Sequence, residues 1–145
     1  MARKVVFDRS VEVAQWVADR VDETHMGDDA TGIGLEQDGV LVAGVAFNRY
    51  TETDIHMHVA IDRPRAITKE FVTCCFAFPF IQLGVNRVTG LVRSDNLPAQ
   101  RFDEHLGFKR EGLIRQACED GTDLIVYGML RSECRWIREE RKDET

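Results

Sequence analysis

The sequence lacks the segments that mark membrane-spanning and secreted proteins. Among its 145 residues, no apolar run reaches the ~18 residues that a membrane helix requires, and the N-terminus has no hydrophobic region typical of a signal peptide. Internal repeats, linkers and low-complexity stretches are also missing. We therefore expect a cytoplasmic protein without a membrane partner. It is predicted to form one domain over residues 1–145, with a charged tail over 131–145.

Paired cysteines and an excess of positive charge are missing too. None of the four cysteines forms a C-x-x-C pair, so we expect reduced thiols and no metal site. The net charge of -6 argues against nucleic acid as a partner, because nucleic-acid binding usually needs a basic face. With 43% hydrophobic and 30% charged residues, the composition is that of a globular domain.

What is present is an alternation of strand and helix patterns. Asp38-Gly39 and Asp120-Gly121 are hairpin signals, and Pro79 is expected to kink or end the helix that contains it. Asp8 or Ser10 is expected to cap the first helix. The predicted strands cover residues 5–7, 32–36, 40–47, 55–61, 86–92, 108–118 and 123–130. The predicted helices cover about 8–21, 66–83 and 97–106. Helices between strands favour parallel pairing and hairpins favour antiparallel pairing, so a mixed α/β sheet is predicted.

The most informative stretch is 86–112, which combines a strand, a short helix with both ends marked and the start of another strand. Asn96 stands at the N-cap position, and Gly107 stands where the helix would end. The stretch is similar to the acetyl-CoA-binding core of the GNAT acetyltransferase superfamily. The similarity lies in residues Asn96, Ala99, Leu106, Gly107, Phe108, Glu111 and Gly112. The branch most resembled is the ribosomal-protein N-acetyltransferases, and the segment 127–136 resembles relatives carried by bacteria and their phages.

The resemblance implies a fold, a cofactor and a reaction. The fold is an α/β, GNAT-like mixed sheet, partly antiparallel, of six to seven strands with helices on both faces. The cofactor is acetyl-CoA. The reaction is transfer of its acetyl group to a primary amine, on a protein N-terminus or a small molecule, by direct attack in a ternary complex.

Cofactor binding is expected at the end of the strand 55–61 and in the loop after it. A loop that feeds a helix N-terminus binds anions, because unpaired backbone amides and the helix dipole face outward together. Ala66 and Thr68 stand where the superfamily has glycines, a loss that Arg63 and Arg65 would partly offset by pairing with phosphate. The resemblance implies cofactor contacts from Val59, Ala60, Ile61, Arg63, Arg65, Ala66, Ile67, Thr68, Asn96 and Arg101.

The acid and base for acetyl transfer are less clearly marked. His56 and His58 share a strand face and are candidate bases because histidine titrates near pH 7, and Glu52 is a second choice. The alternatives for the two histidines are sheet packing or a metal, although no third ligand is evident. Many relatives use a tyrosine as general acid where this chain has Asp103. We expect that carboxyl to be ionised, so that the leaving thiolate takes its proton from solvent or from the amine.

Several alternatives remain open at this level. Glu23, His25, Asp28 and Asp29 are either amine-binding groups or parts of a solvated loop. Covalent catalysis through Cys118 or Cys134 has no recognisable partner residue. The altered loop and the missing tyrosine favour a second function class, a non-catalytic module of the same fold that keeps or has lost CoA. A third class is a protein-interaction domain that dimerises through its edge strands.

Overall fold

The computed structural model describes residues 2–21 and 26–137. Glu23 and His25, two of the predicted amine-binding groups, lie outside the described residues. Strands and helices follow one another as β1 (Arg3–Val6), α1 (Ser10–Arg20), β2 (Thr31–Gln37), β3 (Val40–Asn48), β4 (Asp54–Ile61), α2 (Lys69–Ala77), β5 (Arg87–Arg93), α3 (Leu97–Leu106), β6 (Lys109–Ile114) and β7 (Leu124–Leu130). No helix in these ranges is long and apolar enough to cross a bilayer.

The strands form one seven-stranded sheet in the order β1-β2-β3-β4-β5-β7-β6. Only β4 and β5 run parallel, and every other neighbouring pair is antiparallel. The β2–β3 hairpin turns at Asp38 and Gly39, whose φ angles of 53° and 85° are those of the two-residue turns that match strand twist. The predicted mixed, partly antiparallel sheet is therefore confirmed, with seven strands.

Helix α1 covers one face of the sheet, over β2 and β3. Two glycines allow this close approach: a Cβ atom on Gly32 would lie 2.7 Å from the backbone oxygen of Ser10, and one on Gly44 would lie 2.9 Å from a methyl carbon of Val17. Helices α2 and α3 pack on the core of the other face, through residues that include Phe71, Phe76 and Leu106. The predicted placement of helices on both faces is confirmed.

Two predicted helix boundaries need correction, and a third prediction is confirmed. Neither Asp8 nor Ser10 caps α1, because the hydroxyl of Ser10 instead accepts a hydrogen bond from the backbone N–H of Gly32 at 2.7 Å. Helix α2 begins at Lys69 rather than at Ala66, since Pro64–Ala66 forms a separate 3-10 turn and Thr68 caps the helix. Its regular part ends at Ala77, where a π-helical turn containing Pro79 begins, as predicted for that proline.

The end of β6 and the C-terminal segment also differ from prediction. Strand β6 ends at Ile114 instead of continuing to 118, because Gln116 has a positive φ of 54° and donates its backbone N–H to Asp123 at 2.7 Å. Residues 131–137, predicted as part of a charged tail, pack onto the core: Cys134 is buried, and the indole N–H of Trp136 donates to the carbonyl of Leu106 at 2.9 Å.

Candidate active site

The centre of the sheet contains an opening between β4 and β5. The two strands pair only from Asp54 to His56 on β4 and from Arg87 to Thr89 on β5. Strand β4 then continues to Ile61 beside β3, while β5 continues beside β7. From Met57 to Ile61, one edge of β4 therefore has no strand beside it among residues 2–21 and 26–137. Backbone groups left unpaired along such an edge can hydrogen-bond an extended ligand, and the predicted cofactor contacts Val59, Ala60 and Ile61 lie there.

The loop after β4 lines a basic pocket of about 540 Å³ just before the N-terminus of α2. The pocket brings together the predicted residues Arg63, Arg65 and Ala66 with Arg3 and Gln37. Arg63 donates to the side-chain oxygen of Gln37 at 3.0 Å, and Arg3 donates to the backbone oxygen of Ala66 at 3.4 Å. Arg3 was not predicted as a site residue, because it belongs to β1 and only the folded sheet brings it to the loop.

The other predicted cofactor residues have varied surroundings. The Thr68 hydroxyl accepts from the backbone N–H of Phe71 at 3.1 Å, so capping already occupies one of its lone pairs. Ile67 packs against the core as a partly buried side chain. Asn96 caps α3 as predicted, by accepting from the backbone N–H of Ala99 at 3.2 Å. Arg101 is exposed on α3.

The two histidines on β4 share a sheet face, as predicted, but they are not equivalent. Burial lowers the pKa of His58 to about 4, with His56 and Arg49 adding to the effect. Its Nε2 lies 3.0 Å from the side-chain oxygen of Asn48. Because the Asn48 amide nitrogen donates to the carbonyl of Met26, this oxygen is the acceptor and His58 Nε2 carries the hydrogen. His58 is therefore held neutral, which disfavours it as a base.

His56 is the less buried of the pair. Burial lowers its pKa as well, against an opposing effect of Asp54. Its Nδ1 is buried without a hydrogen-bond partner among the described residues. The expectation that both histidines titrate near pH 7 is therefore corrected, because sequence spacing cannot show burial.

A polar network surrounds His56 on the face of the sheet that α1 partly covers. The hydroxyl of Thr89 donates to Asp54 at 2.7 Å, and Arg87 donates to Thr89 at 3.0 Å and to Glu111 at 3.0 Å. None of these four residues was predicted as a site residue. They come from β4, β5 and β6, and only the order and register of the sheet, with β7 between β5 and β6, bring them together.

The remaining acidic candidates lie at the surface. Glu52 is exposed, with a positive φ of 76° in the turn before β4, and no contact within the described residues links it to either histidine. Asp28 and Asp29 are exposed in the loop before β2.

Asp103 differs most from its predicted state. It is 8% exposed on α3, and burial raises its pKa to about 7, with neighbouring Glu104 adding to the shift. The expectation of an ionised carboxyl and a poor proton donor is therefore wrong.

The cysteines offer no catalytic arrangement. None of the four forms a disulfide bond; Cys75 and Cys134 are buried, and burial raises the pKa of Cys74 and Cys75, which disfavours the thiolate. Within residues 2–21 and 26–137, no group of three His, Cys, Asp or Glu side chains could hold a metal ion.

The resemblance to acetyltransferases implies a mixed sheet of this kind, and comparisons with known proteins agree with that fold. The prophage-derived uncharacterized N-acetyltransferase YokL of Bacillus subtilis (strain 168, prophage SPbeta) is 29% identical over 140 residues, which cover 88% of this chain and 75% of YokL. No family model matches the chain.

Two solved structures illustrate the likeness in fold. A GNAT-family acetyltransferase from Bacillus anthracis superposes with a TM-score of 0.59 at 20% identity, over 70% of this chain and 67% of that one. A chimera of the spermidine N-acetyltransferase SpeG from Vibrio cholerae and hSSAT superposes with a TM-score of 0.69 at 12% identity, over 91% and 97%. The comparisons confirm the predicted resemblance to the GNAT N-acetyltransferases and the predicted class, an acyltransferase. They do not single out the ribosomal-protein branch.

Proposed function

We propose that this protein transfers the acetyl group of acetyl-CoA to a primary amine by direct attack in a ternary complex. The observation that carries the proposal is the edge of β4 from Met57 to Ile61, which no described strand pairs on the side of β5, together with the basic pocket that the loop after Ile61 lines. An extended, amide-containing cofactor arm can pair with such an edge as a strand would. Its phosphates would then reach the loop between β4 and α2.

The loop suits those phosphates in charge and geometry. Arg3, Arg63 and Arg65 line the pocket, and guanidinium groups bind phosphate through charge-assisted hydrogen bonds. The first backbone amides of α2 add unpaired donors and the positive end of the helix dipole. These features support binding although Ala66 and Thr68 replace the glycines of the superfamily.

The amine acceptor would approach from the face that carries His56. Asp54 and Glu111 on that face both pair with Arg87, and His56, whose side chain is partly exposed, is the base we propose for the proton that the amine loses. The acceptor class stays a protein N-terminus or a small molecule in the cytoplasm. Because one structural neighbour is a spermidine N-acetyltransferase, polyamines come first in an acceptor screen.

A second candidate function is a non-catalytic module of the same fold. The observation that favours it is the altered loop, where the Thr68 hydroxyl already caps α2. Calorimetric titration with acetyl-CoA separates the two candidates. Micromolar binding, followed by thiol release with an amine, supports the transferase. Absence of binding at millimolar acetyl-CoA would leave the partner-binding module as the better explanation.

A further inference from the structure

The face of the sheet that carries His56 continues onto β5 and β7, where it becomes apolar. Thr89 of β5 lies on this face, since its hydroxyl donates to Asp54 at 2.7 Å. Leu91 follows two residues later, on the same side of the strand, and pairs with Val126 of β7. One continuous surface therefore has a polar part at β4 and an apolar part beside it.

The apolar part consists of four side chains, which we call the apolar floor: Leu91, Ile114, Leu124 and Val126. Leu124 is two residues from Val126 and pairs with Ile114 of β6, so all four share the face. Ile114 is 43% exposed and the other three are half-buried. Helix α1 lies over β2, β3 and β4 instead. Within the described residues, neither apolar cluster of the molecule includes any side chain of the floor.

The apolar floor begins where the thioester of the cosubstrate would lie, a step that rests on the proposed function. Strands β4 and β5 separate after the pair formed by His56 and Thr89. A cosubstrate arm that follows β4 over residues 57–61 places its acyl end at this separation point. Leu91 is about 7 Å from Thr89 at the rise of an extended strand. An amine that attacks from the face of His56 would therefore have its remaining atoms over Leu91 and Val126.

The charged groups around His56 largely neutralise one another. Asp54 and Glu111 both pair with Arg87. Burial is the main cause of the lowered pKa of His56, which Asp54 opposes and which Arg49 and Arg87 reinforce. Two carboxylates thus face two guanidinium groups. This balance suits an acceptor with one amino group better than a polycation.

The carboxylates at the far end of β5 do not change this balance. Asp95 and Asp120 both pair with Arg93, and their side chains are 59% and 57% exposed. Water and salt screen charges at such exposure. They would therefore contribute little to the binding of a second ammonium group.

The backbone beneath the apolar floor is already paired. Strand β5 pairs with β7 from Arg87 to Arg93, and β7 pairs with β6 over the floor. A peptide laid on this surface would find apolar side chains in place of hydrogen-bond partners, and burying its amides unpaired costs free energy. An alkyl chain carries no such groups and gains from the burial.

We propose that the acceptor is a small monoamine with an apolar arm, which lies on the apolar floor while its nitrogen reaches the acyl carbon beside His56. Burial of the arm, rather than charge, provides most of the binding energy. The spermidine N-acetyltransferase chimera shares the fold at 12% identity, which does not carry its acceptor over to this chain. An acceptor screen therefore needs monoamines beside polyamines.

The first test compares three amines on the wild type: ethylamine, pentylamine and cadaverine. Cadaverine is pentylamine with a second amino group, so this pair differs only in charge, and ethylamine lacks most of the arm. We expect kcat/KM for pentylamine to exceed that for each of the other two by about 10-fold or more. The preference over ethylamine should persist in high salt, because apolar contacts are not screened.

The second test removes the apolar character of the floor. Leu91→Thr combined with Val126→Thr introduces hydroxyl groups and keeps β-branched residues in both strands. The ratio of kcat/KM for pentylamine to that for ethylamine should fall by about 10-fold. Val40→Thr, at an exposed valine of β3, is the matched control and should keep the ratio. Calorimetry with acetyl-CoA verifies that each variant is folded, and if the double variant is not, the wild-type amine series decides.

The outcomes separate this inference from the proposed function. A wild type that acetylates cadaverine or spermidine more efficiently than pentylamine overturns the acceptor class and leaves the transferase standing. Preference for a peptide amine over pentylamine does the same, as does an unchanged ratio in the folded double variant. A wild type that neither binds acetyl-CoA nor acetylates any of these amines overturns the proposed function, and this inference with it.

Discussion

At the scale of single residues, burial changes the chemistry of the candidate site more than residue type does. His58 and Asp103 have pKa values of about 4 and about 7, the reverse of their usual order. In both cases the largest cause is desolvation, which disfavours the charged form. The histidine becomes a fixed neutral donor, and the carboxyl becomes an acid that holds its proton near neutral pH.

The lowered pKa of His58 predicts an acid-sensitive fold. The folded state disfavours the proton, so the contribution of His58 to stability is complete above pH 6.5 and is lost as the pH falls towards 4. The loss approaches about 1.4 kcal/mol for each pH unit in that window. Urea unfolding should show a shallower pH dependence for His58→Gln than for the wild type. An equal dependence in both proteins would contradict the assignment, and the exposed His105→Gln serves as control.

From the arginines that line the pocket we predict how much affinity for acetyl-CoA is lost when they are removed. Arg63→Ala combined with Arg65→Ala should weaken acetyl-CoA binding by ~1 to 3 kcal/mol, the scale of charge-assisted hydrogen bonds. Calorimetry measures the effect, and the difference should shrink in high salt because these side chains are exposed. Lys4→Ala, an exposed change on β1, is the control. Unchanged affinity in the double variant would mean that the phosphates bind elsewhere.

At the scale of secondary-structure elements, the opening between β4 and β5 depends on where pairing stops. Three residue pairs join β4 to β5. Beyond them, β4 stays paired with β3 and β5 stays paired with β7. Each strand therefore stays in the sheet although the two separate, and the unpaired edge needs no unfolding to accept a ligand.

The contact of α1 with the opposite face depends on small residues in β2 and β3.

That contact can be tested at Gly32. A methyl group there would lie 2.7 Å from the carbonyl of Ser10 and 2.9 Å from the amide of Ala14, and backbone atoms cannot move aside as a flexible side chain can. Gly32→Ala should therefore destabilise the fold by about 1 to 3 kcal/mol. Gly112→Ala is the control, because a Cβ atom there meets nothing within 4 Å. Equal unfolding midpoints for the two variants would refute the close approach.

At the scale of the whole molecule, the C-terminal segment ties the sheet to α3. Arg135 and Trp136 both donate to the carbonyl of Leu106, at 3.2 Å and 2.9 Å, and Cys134 is buried beside them. These bonds satisfy a carbonyl at the end of α3 that has no partner within the helix. The segment also holds the helix that carries Asp103.

Removing this support should reduce stability. Trp136→Ala loses a half-buried ring and one hydrogen bond, for which we expect a cost of about 2 to 4 kcal/mol in urea unfolding. Ser132→Ala, an exposed change in the same segment, should have little effect. If the two variants unfold at the same urea concentration, the segment does not contribute to the fold as its contacts indicate.

Strand β6 lies at the edge of the sheet, and its exposed edge is the basis for a prediction of self-association. All six of its residues are exposed, among them Leu113 and Ile114, and nothing within the described residues pairs its outer edge. Unpaired edges can join second copies of a chain. Sedimentation over a concentration series measures this, with Leu113→Lys as the variant expected to abolish association. A monomer at the highest concentration would exclude the dimer.

The sequence by itself determined most of the elements and their order. Local rules were sufficient for the Asp38-Gly39 hairpin, the α3 helix between Asn96 and Gly107, and the alternation along β4, because each depends on neighbouring residues. The resemblance of the stretch 86–112 then indicated the class of protein and the position of the loop. Predicted helix boundaries were wrong where a residue distant in the sequence was involved. The hydroxyl of Ser10, for example, accepts a hydrogen bond from the backbone N–H of Gly32 instead of capping α1.

Only the tertiary structure decided the chemistry of the site. Arg3 reaches the loop after β4 through sheet pairing, and Arg87 and Glu111 meet near His56 through strand register. Asp103 and His58 obtain their altered pKa values from desolvation, a property of everything packed around a side chain. Contacts between residues far apart in the chain and removal from water leave no local pattern in the sequence. These two physical effects decide which residues can hold or move a proton.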